Sequence, residues 1–167
     1  DLQQDASLIV REKRRCLNAS KRLLDGWAQG YALGLRGKTL VERYRAENFA
    51  GWRDWHLNPA HARWGGEPAA RLLGCELQPG VLTIYGEKLS ARLLAEQKLA
   101  PATPAAYEQL LGLRKPFWGE SLSADASSVT VPPALIYADL LATGNGQCIE
   151  AAASIYESRL ARFFPLV

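Results

Sequence analysis

Hydrophobic residues recur with a helical period over the first part of the chain. Within residues 7–33, apolar and small side chains at helical spacings form one stripe: Ile9, Cys16, Ser20, Leu23, Trp27 and Tyr31. Such a stripe is typical of an amphipathic helix that buries one face. The pattern therefore predicts a long N-terminal helix.

Basic residues fall on the opposite side of this predicted helix: Arg11, Arg14, Arg15, Lys21 and Arg22. Glu12 is the only acid between positions 6 and 24. A charge run on a helix is often only solvated surface, and contact with nucleic acid or an acidic protein is the second interpretation. We predict that these five residues bind an acidic partner, because a solvated helix usually interleaves acids with its bases.

A glycine pair followed by a short helix and a short strand is the centre of the predicted fold. Gly65 and Gly66 suit a tight turn, since glycine accepts positive φ and close approach. Glu67-Pro68 suits the first turn of a helix, and Gly74 suits its end. Residues 81–85 are a β-branched and aromatic run typical of a buried strand. We interpret the pair as a structural turn, with a ligand-contacting turn as the alternative.

Shorter patterns predict further elements around this centre. Alternation over residues 39–46 predicts a strand, and residues 107–117 and 129–131 are weaker strand candidates. Asn58-Pro59 and Ser90 are typical helix starts. The chain therefore predicts an α/β (α+β) fold with a small mixed sheet and packed helices.

Two helical patterns close the chain. Pro132-Pro133 starts a helix with Leu135, Ile136 and Leu140 on its apolar side, and a Gly-Asn-Gly turn at 144–146 ends it. A last apolar stripe follows to residue 163. The two segments predict a C-terminal helical hairpin.

Bulky aromatic residues are concentrated over positions 49–64: Phe49, Trp52, Trp55 and Trp64. Each aromatic side chain buries a large area on folding, which favours a place in the core. A platform on which nucleotide bases stack is the alternative.

Composition and charge are those of a globular chain. Its 167 residues are 48% hydrophobic and 22% charged, and no apolar run reaches the ~20 residues that span a bilayer. The net charge of +3 allows an acidic partner without requiring one. Cys16, Cys75 and Cys148 are odd in number and far apart, which indicates free thiols in a reducing cytoplasm. The chain starts at Asp1 and contains no Met, so we expect an upstream segment in a longer protein.

Catalytic and metal-binding patterns are missing from the sequence. His56 and His61 are five positions apart and do not share a helical face, so neither a metal nor another cofactor is predicted. The order of glycine pair, helix and strand is also that of nucleotidyltransferase cores, where carboxylates at the strand end hold two metal ions. Glu87 is the only acid beside this strand, so we predict no catalysis. A degenerate, non-catalytic copy of such a core stays open.

Four stretches of the chain resemble one protein family. They are residues 49–55 (Phe-Ala-Gly-Trp-Arg-Asp-Trp), 63–70, 79–85 and 131–144 (Val-Pro-Pro-Ala-Leu-Ile-Tyr-Ala-Asp-Leu-Leu-Ala-Thr-Gly). Together they look like the AbiEi family, the antitoxins of bacterial type IV toxin-antitoxin systems. The similarity extends over residues 24–160.

The resemblance implies a non-enzymatic antitoxin and transcriptional regulator that counters a nucleotidyltransferase-like toxin. Family members join a winged helix-turn-helix, which binds operator DNA, to a C-terminal domain, and this chain resembles only the latter. We therefore divide it into residues 1–36, a basic helix and linker after a missing upstream module, and residues 37–167, an antitoxin-like α/β domain. The alternatives are a nucleic-acid-binding domain that uses the basic helix and an enzyme of nucleotidyltransferase descent.

Overall fold

The computed structural model of the chain describes residues 8–11, 14–17, 20–46, 48–102, 110–117 and 128–166. Its described part is a five-stranded mixed sheet with packed helices and a separate two-stranded hairpin. The predicted fold class is confirmed, whereas a nucleotidyltransferase-like core is not. None of the helices within these ranges is both long enough and apolar enough to cross a bilayer.

The first segment is where the sequence prediction is wrong. Strands β1 (Leu8–Arg11) and β2 (Arg14–Leu17) pair antiparallel, and helix α1 begins only at Lys21 and ends at Gly30. Ile and Val in β1 favour extended backbone. Ser20 then stops any helix from continuing backwards, since it is extended and its hydroxyl accepts the Leu23 N–H at 3.2 Å.

A wide turn lengthens α1 beyond the predicted end at residue 33. The π-helical turn Tyr31–Leu35 follows α1 directly and leads into the short helix α2 (Arg36–Thr39). In this turn the Arg36 N–H bonds to the Tyr31 carbonyl, five residues back. Tyr31 and Arg36 are therefore brought to the same side of the helix, which an ordinary α-helical turn would not do.

The larger sheet contains β3 (Leu40–Arg45), β4 (Ala62–Gly65), β5 (Val81–Gly86), β6 (Ala100–Pro101) and β7 (Leu110–Arg114). Its spatial order is β4-β5-β7-β3-β6, with β5 and β7 parallel and the other pairs antiparallel. The strands predicted at 39–46, 81–85 and within 107–117 are confirmed. Residues 129–131 contribute a single bridge, between Thr130 and Trp64.

The glycine pair performs the structural role that its sequence predicts. Gly66 has φ +54° and starts α3 (Gly66–Leu72), while Gly74 has φ +102° just beyond its end. Gly65 lies under an aromatic ring, because a Cβ there would meet Tyr85 Cε2 at 2.6 Å. The first glycine is thus required by packing and the second by backbone conformation.

The C-terminal half also follows the sequence pattern. Ser90 caps α4 (Ala91–Glu96) as predicted, and α5 (Pro133–Thr143) ends at Gly144 with φ +76°. Helix α6 (Gly146–Ile155) runs on through the π-helical turn Tyr156–Leu160, which completes the predicted hairpin with α5.

Asn58 starts a turn rather than the predicted helix. Its side-chain oxygen accepts the Ala60 N–H at 3.1 Å, and its carbonyl accepts the N–H groups of His61 and Ala62. The chain then enters β4 at Ala62. Backbone hydrogen bonds between β4 and β5 replace those that a helix would have formed.

The clustered aromatic residues are core, as predicted. Trp52 meets Trp64 edge to face at 5.1 Å between ring centroids, and Trp55 lies 5.9 Å from Phe49 and from Trp64. All four side chains are buried. Edge-to-face and tilted ring pairs stabilise beyond the area they bury.

Substituting Gly66 with Val should destabilise the fold by at least ~2 kcal/mol, because a β-branched residue tolerates left-handed backbone poorly. The added Cβ would also press on Thr83 Oγ1, 3.1 Å away. Urea unfolding measures the change. Gly26→Ala is the control: a Cβ at Gly26 meets nothing within 4 Å, so stability should hold or rise by less than ~1 kcal/mol. Equal stability of the two variants would contradict this account.

Candidate functional site

Helix α5 places a carboxylate inside the protein. Asp139 is 2% exposed and lies beside the fully buried Leu140 and Ala138. A buried carboxylate is costly unless hydrogen bonds or opposite charge compensate it. Its position in an otherwise apolar helix therefore requires partners from other elements.

Three side chains supply these partners. Tyr31 donates to Asp139 Oδ1 at 2.8 Å, and Arg36 Nε donates to the same oxygen at 3.0 Å. Tyr85 donates to Oδ2 at 2.6 Å. One carboxylate thus joins the π-helical turn, the end of β5 and α5.

The two tyrosine hydroxyls also contact each other, with 2.7 Å between their oxygens. Two hydroxyl protons therefore serve three short oxygen-oxygen contacts, and one hydroxyl must share its proton between two acceptors. Both carboxylate oxygens are occupied. The arrangement is a hydrogen-bonded network that closes among these side chains.

Arg114, from the end of β7, adds a second guanidinium. Its Nη1 donates to the Arg36 carbonyl at 2.6 Å and to Thr39 Oγ1 at 3.0 Å, which are both neutral acceptors. We name Tyr31, Arg36, Tyr85, Arg114 and Asp139 the Asp139 cluster. With neutral tyrosines, it holds two cations and one anion, a net charge of +1.

Burial and charge shift the pKa values in the cluster. Burial raises the pKa of Tyr85 far above its usual value, and the neighbouring Asp139 carboxylate raises it further. The pKa of Tyr31 is raised by the same two causes in the same order. Burial also lowers the pKa of Arg114, as does the positive charge of Arg36. Both tyrosines stay protonated at physiological pH and cannot act there as bases or nucleophiles.

Local geometry explains how these residues meet. The π-helical turn aligns Tyr31 with Arg36, and the bare backbone of Gly65 leaves room for the Tyr85 ring. Tyr85 and Arg114 are register partners on adjacent parallel strands, so their side chains share one face of the sheet. The glycine pair found from the sequence is therefore a support of the cluster.

No member of the Asp139 cluster is predicted as a site residue from the sequence. One signal was available, because Asp139 is the only acid within the apolar run 131–144. A lone acid on a helix that is apolar all round requires buried partners. The hydrogen-bond donors to Asp139 could not be read from the sequence, since Tyr31, Arg36 and Tyr85 lie 108, 103 and 54 residues away from it.

The predicted basic face is not a helical face. Arg11 and Arg14 lie opposite each other at the end of the hairpin, Arg15 pairs with Val10, and only Lys21 and Arg22 are on α1. Lys21 forms an ion pair with Asp25 at 2.7 Å. Because the strand period differs from the helical period, the hairpin redistributes these cations. Whether they bind a partner stays a prediction.

Glu67 is a second buried acid, next to the glycine pair. Its Oε2 accepts the Val81 N–H at 3.2 Å, and its Oε1 accepts the Cys148 thiol at 3.4 Å. Burial and the nearby carboxylate raise the pKa of Cys148 to about 11, so the thiol stays protonated. Within the described ranges, no three His, Cys, Asp or Glu side chains are placed to hold a metal ion. Glu67 thus ties α3 to β5 and α6.

Tyr85→Phe should lower stability at neutral pH by ~1–2 kcal/mol, since it removes a buried hydrogen bond to a charged group. The raised pKa of Tyr85 means that the folded state holds this proton more tightly than the unfolded state. Its contribution is therefore complete below the usual tyrosine pKa of 10.0 and is lost as pH rises above it.

The deficit of Tyr85→Phe relative to the parent should accordingly shrink between about pH 9 and pH 11. Urea unfolding of both proteins across this range measures it. Parallel stability curves would contradict the raised pKa.

Comparison with known proteins identifies a family. The model of a family described as a transcriptional regulator, AbiEi antitoxin of a type IV toxin-antitoxin system, matches residues 16–161. No curated protein and no solved structure matches the chain. The matched range contains every member of the Asp139 cluster and the glycine pair.

Proposed function

The chain belongs to the AbiEi antitoxin family of transcriptional regulators, and on this premise we propose that it acts without catalysis to counter a nucleotidyltransferase-like toxin. In this proposal an upstream winged-helix module, outside this sequence, binds the operator DNA. The proposed place of action is the bacterial cytoplasm.

The closed Asp139 cluster is the observation that supports a non-catalytic role. The cluster has the groups that an active site would use, a carboxylate, two hydroxyls and two guanidiniums. However, the carboxylate is 2% exposed and its oxygens are occupied, while the hydroxyls are locked in their protonated form. A general base must reach the proton it removes and must be unprotonated when it does so. The cluster instead fixes α5 and the π-helical turn against the sheet.

A growth assay tests the proposal. Co-expression of the protein with a nucleotidyltransferase-like toxin encoded beside it should restore growth of the bacterium. In parallel, the purified chain incubated with nucleoside triphosphates, Mg²⁺ or Mn²⁺ and transfer RNA should form no labelled product, because the cluster offers no reactive group.

Tyr31→Phe serves as the matched variant in both assays, since it removes one hydroxyl from the cluster and keeps the ring. A folded Tyr31→Phe protein should still restore growth. Transfer activity that vanished in Tyr31→Phe or Glu87→Ala would overturn the non-catalytic role, and a failure of the folded parent to restore growth would overturn the antitoxin role.

A second proposed contact is with DNA phosphates, through the basic hairpin. Arg11 and Arg14 are directly opposed across β1 and β2, with Arg15 next to them. Several cations on one short hairpin favour binding to DNA phosphates, since each neutralised phosphate releases counterions. The opposed arginines therefore favour a hairpin that contacts the duplex bound by the upstream module.

Neutralising this hairpin should weaken operator binding by the full-length protein. In Arg11→Gln/Arg14→Gln/Arg15→Gln, the slope of log K against log salt should become shallower by ~2–3, about one unit for each phosphate that the variant no longer neutralises. Mobility-shift titrations at several salt concentrations measure it. Arg53→Gln/Arg92→Gln/Arg162→Gln is the control with the same reduction of positive charge and should keep the parent slope. Identical salt slopes in both triple variants would contradict the proposed contact between the hairpin and DNA phosphates.

A further inference from the structure

One face of the sheet is only partly covered by helices. Residues paired in register share a face, so Leu110, Gly112 and Arg114 of β7 lie on the same side as Arg43 and Arg45 of β3. The other side of these two strands carries Leu111, Leu113 and Tyr44, which pack into the core. The partly covered face is thus the one that bears the arginines.

The helices cover this face near the end of β5 and leave it exposed near the start of the strand. Tyr85 and Thr83 are buried, and α3 approaches Thr83 so closely that a Cβ on Gly66 would lie 3.1 Å from its hydroxyl. At the start of the same strand, Val81 is 44% exposed, and Arg45 is exposed on β3. The helices therefore leave the end of the face near Val81 and Arg45 accessible.

Four arginines form a continuous line, which we name the arginine strip: Arg45, Arg43, Arg114 and Arg36. Arg43 and Arg45 are two residues apart on one strand, a separation of about 6.8 Å. Arg43 pairs with Gly112, so Arg114 is its diagonal neighbour, about 7–8 Å away. Arg114 in turn bonds to the Arg36 carbonyl at 2.6 Å. Gly112 carries no side chain at the centre of the line, and the Leu40 side chain lies over it, since a Cβ there would meet Leu40 Cδ1 at 3.6 Å.

Opposite charge along the strip is scarce within the part of the chain that the structure describes. Glu42 of β3 pairs with Leu113 and so belongs to the other face. Glu67 is buried beside Val81 and already accepts its N–H. Asp139, buried behind Arg36, is the one carboxylate that neutralises a strip arginine among the described residues. Four guanidiniums and one carboxylate leave a large positive excess, which makes the strip a site for an anion with several charges.

Exposed aromatic side chains lie at the Arg36 end of the strip. Trp27 is 41% exposed and stacks on Tyr31 of the Asp139 cluster, with 5.6 Å between centroids and 18° between planes. Phe117, 39% exposed, tilts against Tyr31 at 5.8 Å. Tyr31 covers one face of the indole and holds it in place, so Trp27 offers a rigid platform for another flat ring.

We propose that the arginine strip binds single-stranded nucleic acid, with phosphates on the arginines and an unpaired base stacked on Trp27. The distance between neighbouring arginines of the strip, about 7 Å, is comparable with the distance between neighbouring phosphates in an extended nucleic-acid strand. Base stacking on an exposed aromatic ring requires a base that is not already paired. A single strand meets both conditions, whereas a duplex keeps its bases inside. This activity is separate from toxin neutralisation and from operator binding.

Fluorescence anisotropy with labelled oligonucleotides of about 12 nucleotides tests the proposal, using single-stranded RNA, single-stranded DNA and a duplex. Arg43→Gln/Arg45→Gln should weaken single-strand binding at least ~10-fold and reduce the salt slope by ~1.4, since each phosphate contact contributes ~0.7. Trp27→Leu should weaken binding ~5-fold or more with an unchanged salt slope, because it removes stacking and no charge. Circular dichroism verifies that each variant is folded.

Arg92→Gln/Arg162→Gln is the control for net charge, since both residues are exposed and lie outside the strip. It should keep the parent salt slope. Tighter binding of RNA than of DNA would identify RNA as the ligand, and equal binding would identify single strands of either kind. Equally weakened binding in the two double variants, tighter binding of the duplex, or displacement by polyglutamate as readily as by oligonucleotide would overturn the proposal.

Discussion

A single buried carboxylate holds together the parts of this protein that are most distant in sequence. Asp139 on α5 accepts hydrogen bonds from Tyr31 and Arg36 on one side and from Tyr85 on the other. Removing a charge from water costs several kcal/mol, and that cost is offset only while every partner is in place. The relative positions of α5, the π-helical turn and β5 are therefore coupled, because moving any of them would leave a buried charge uncompensated.

The glycine pair is the backbone counterpart of that coupling. Gly65 has no side chain where the Tyr85 ring lies, and Gly66 turns the chain with positive φ so that α3 starts immediately after β4. Glu67, the next residue, then reaches β5 and α6 with one carboxylate. Two buried acids, each bonded to several elements, thus specify how helices dock on the sheet. Buried polar networks that are fully satisfied favour one packing arrangement over its alternatives.

The same network determines which chemistry is available at the surface. The Tyr31 hydroxyl is held by its hydrogen bond to Asp139, and the Tyr31 ring packs against Trp27 and Phe117. A buried, hydrogen-bonded side chain therefore supports the exposed aromatic ones. Arg36 and Arg114 face the single negative charge of Asp139, which leaves the cluster with a net charge of +1. Such an arrangement suits binding of a ligand more than catalysis, because the carboxylate and hydroxyl groups are buried while cationic and aromatic side chains are exposed.

Local chemistry was sufficient wherever an element is specified by its own residues. The turn at Gly65 and Gly66, the strand that starts at Val81, the Ser90 cap and the C-terminal hairpin were all predicted, since φ requirements, caps and β-branched runs act over a few residues. The resemblance of residues 131–144 also indicated the family. Periodicity failed over residues 8–17, where apolar residues fit a helix and a strand about equally and pairing between β1 and β2 decided. Only the tertiary structure could assemble the Asp139 cluster and the arginine strip, because sheet register and a π-helical turn join residues whose separation in sequence carries no periodic signal.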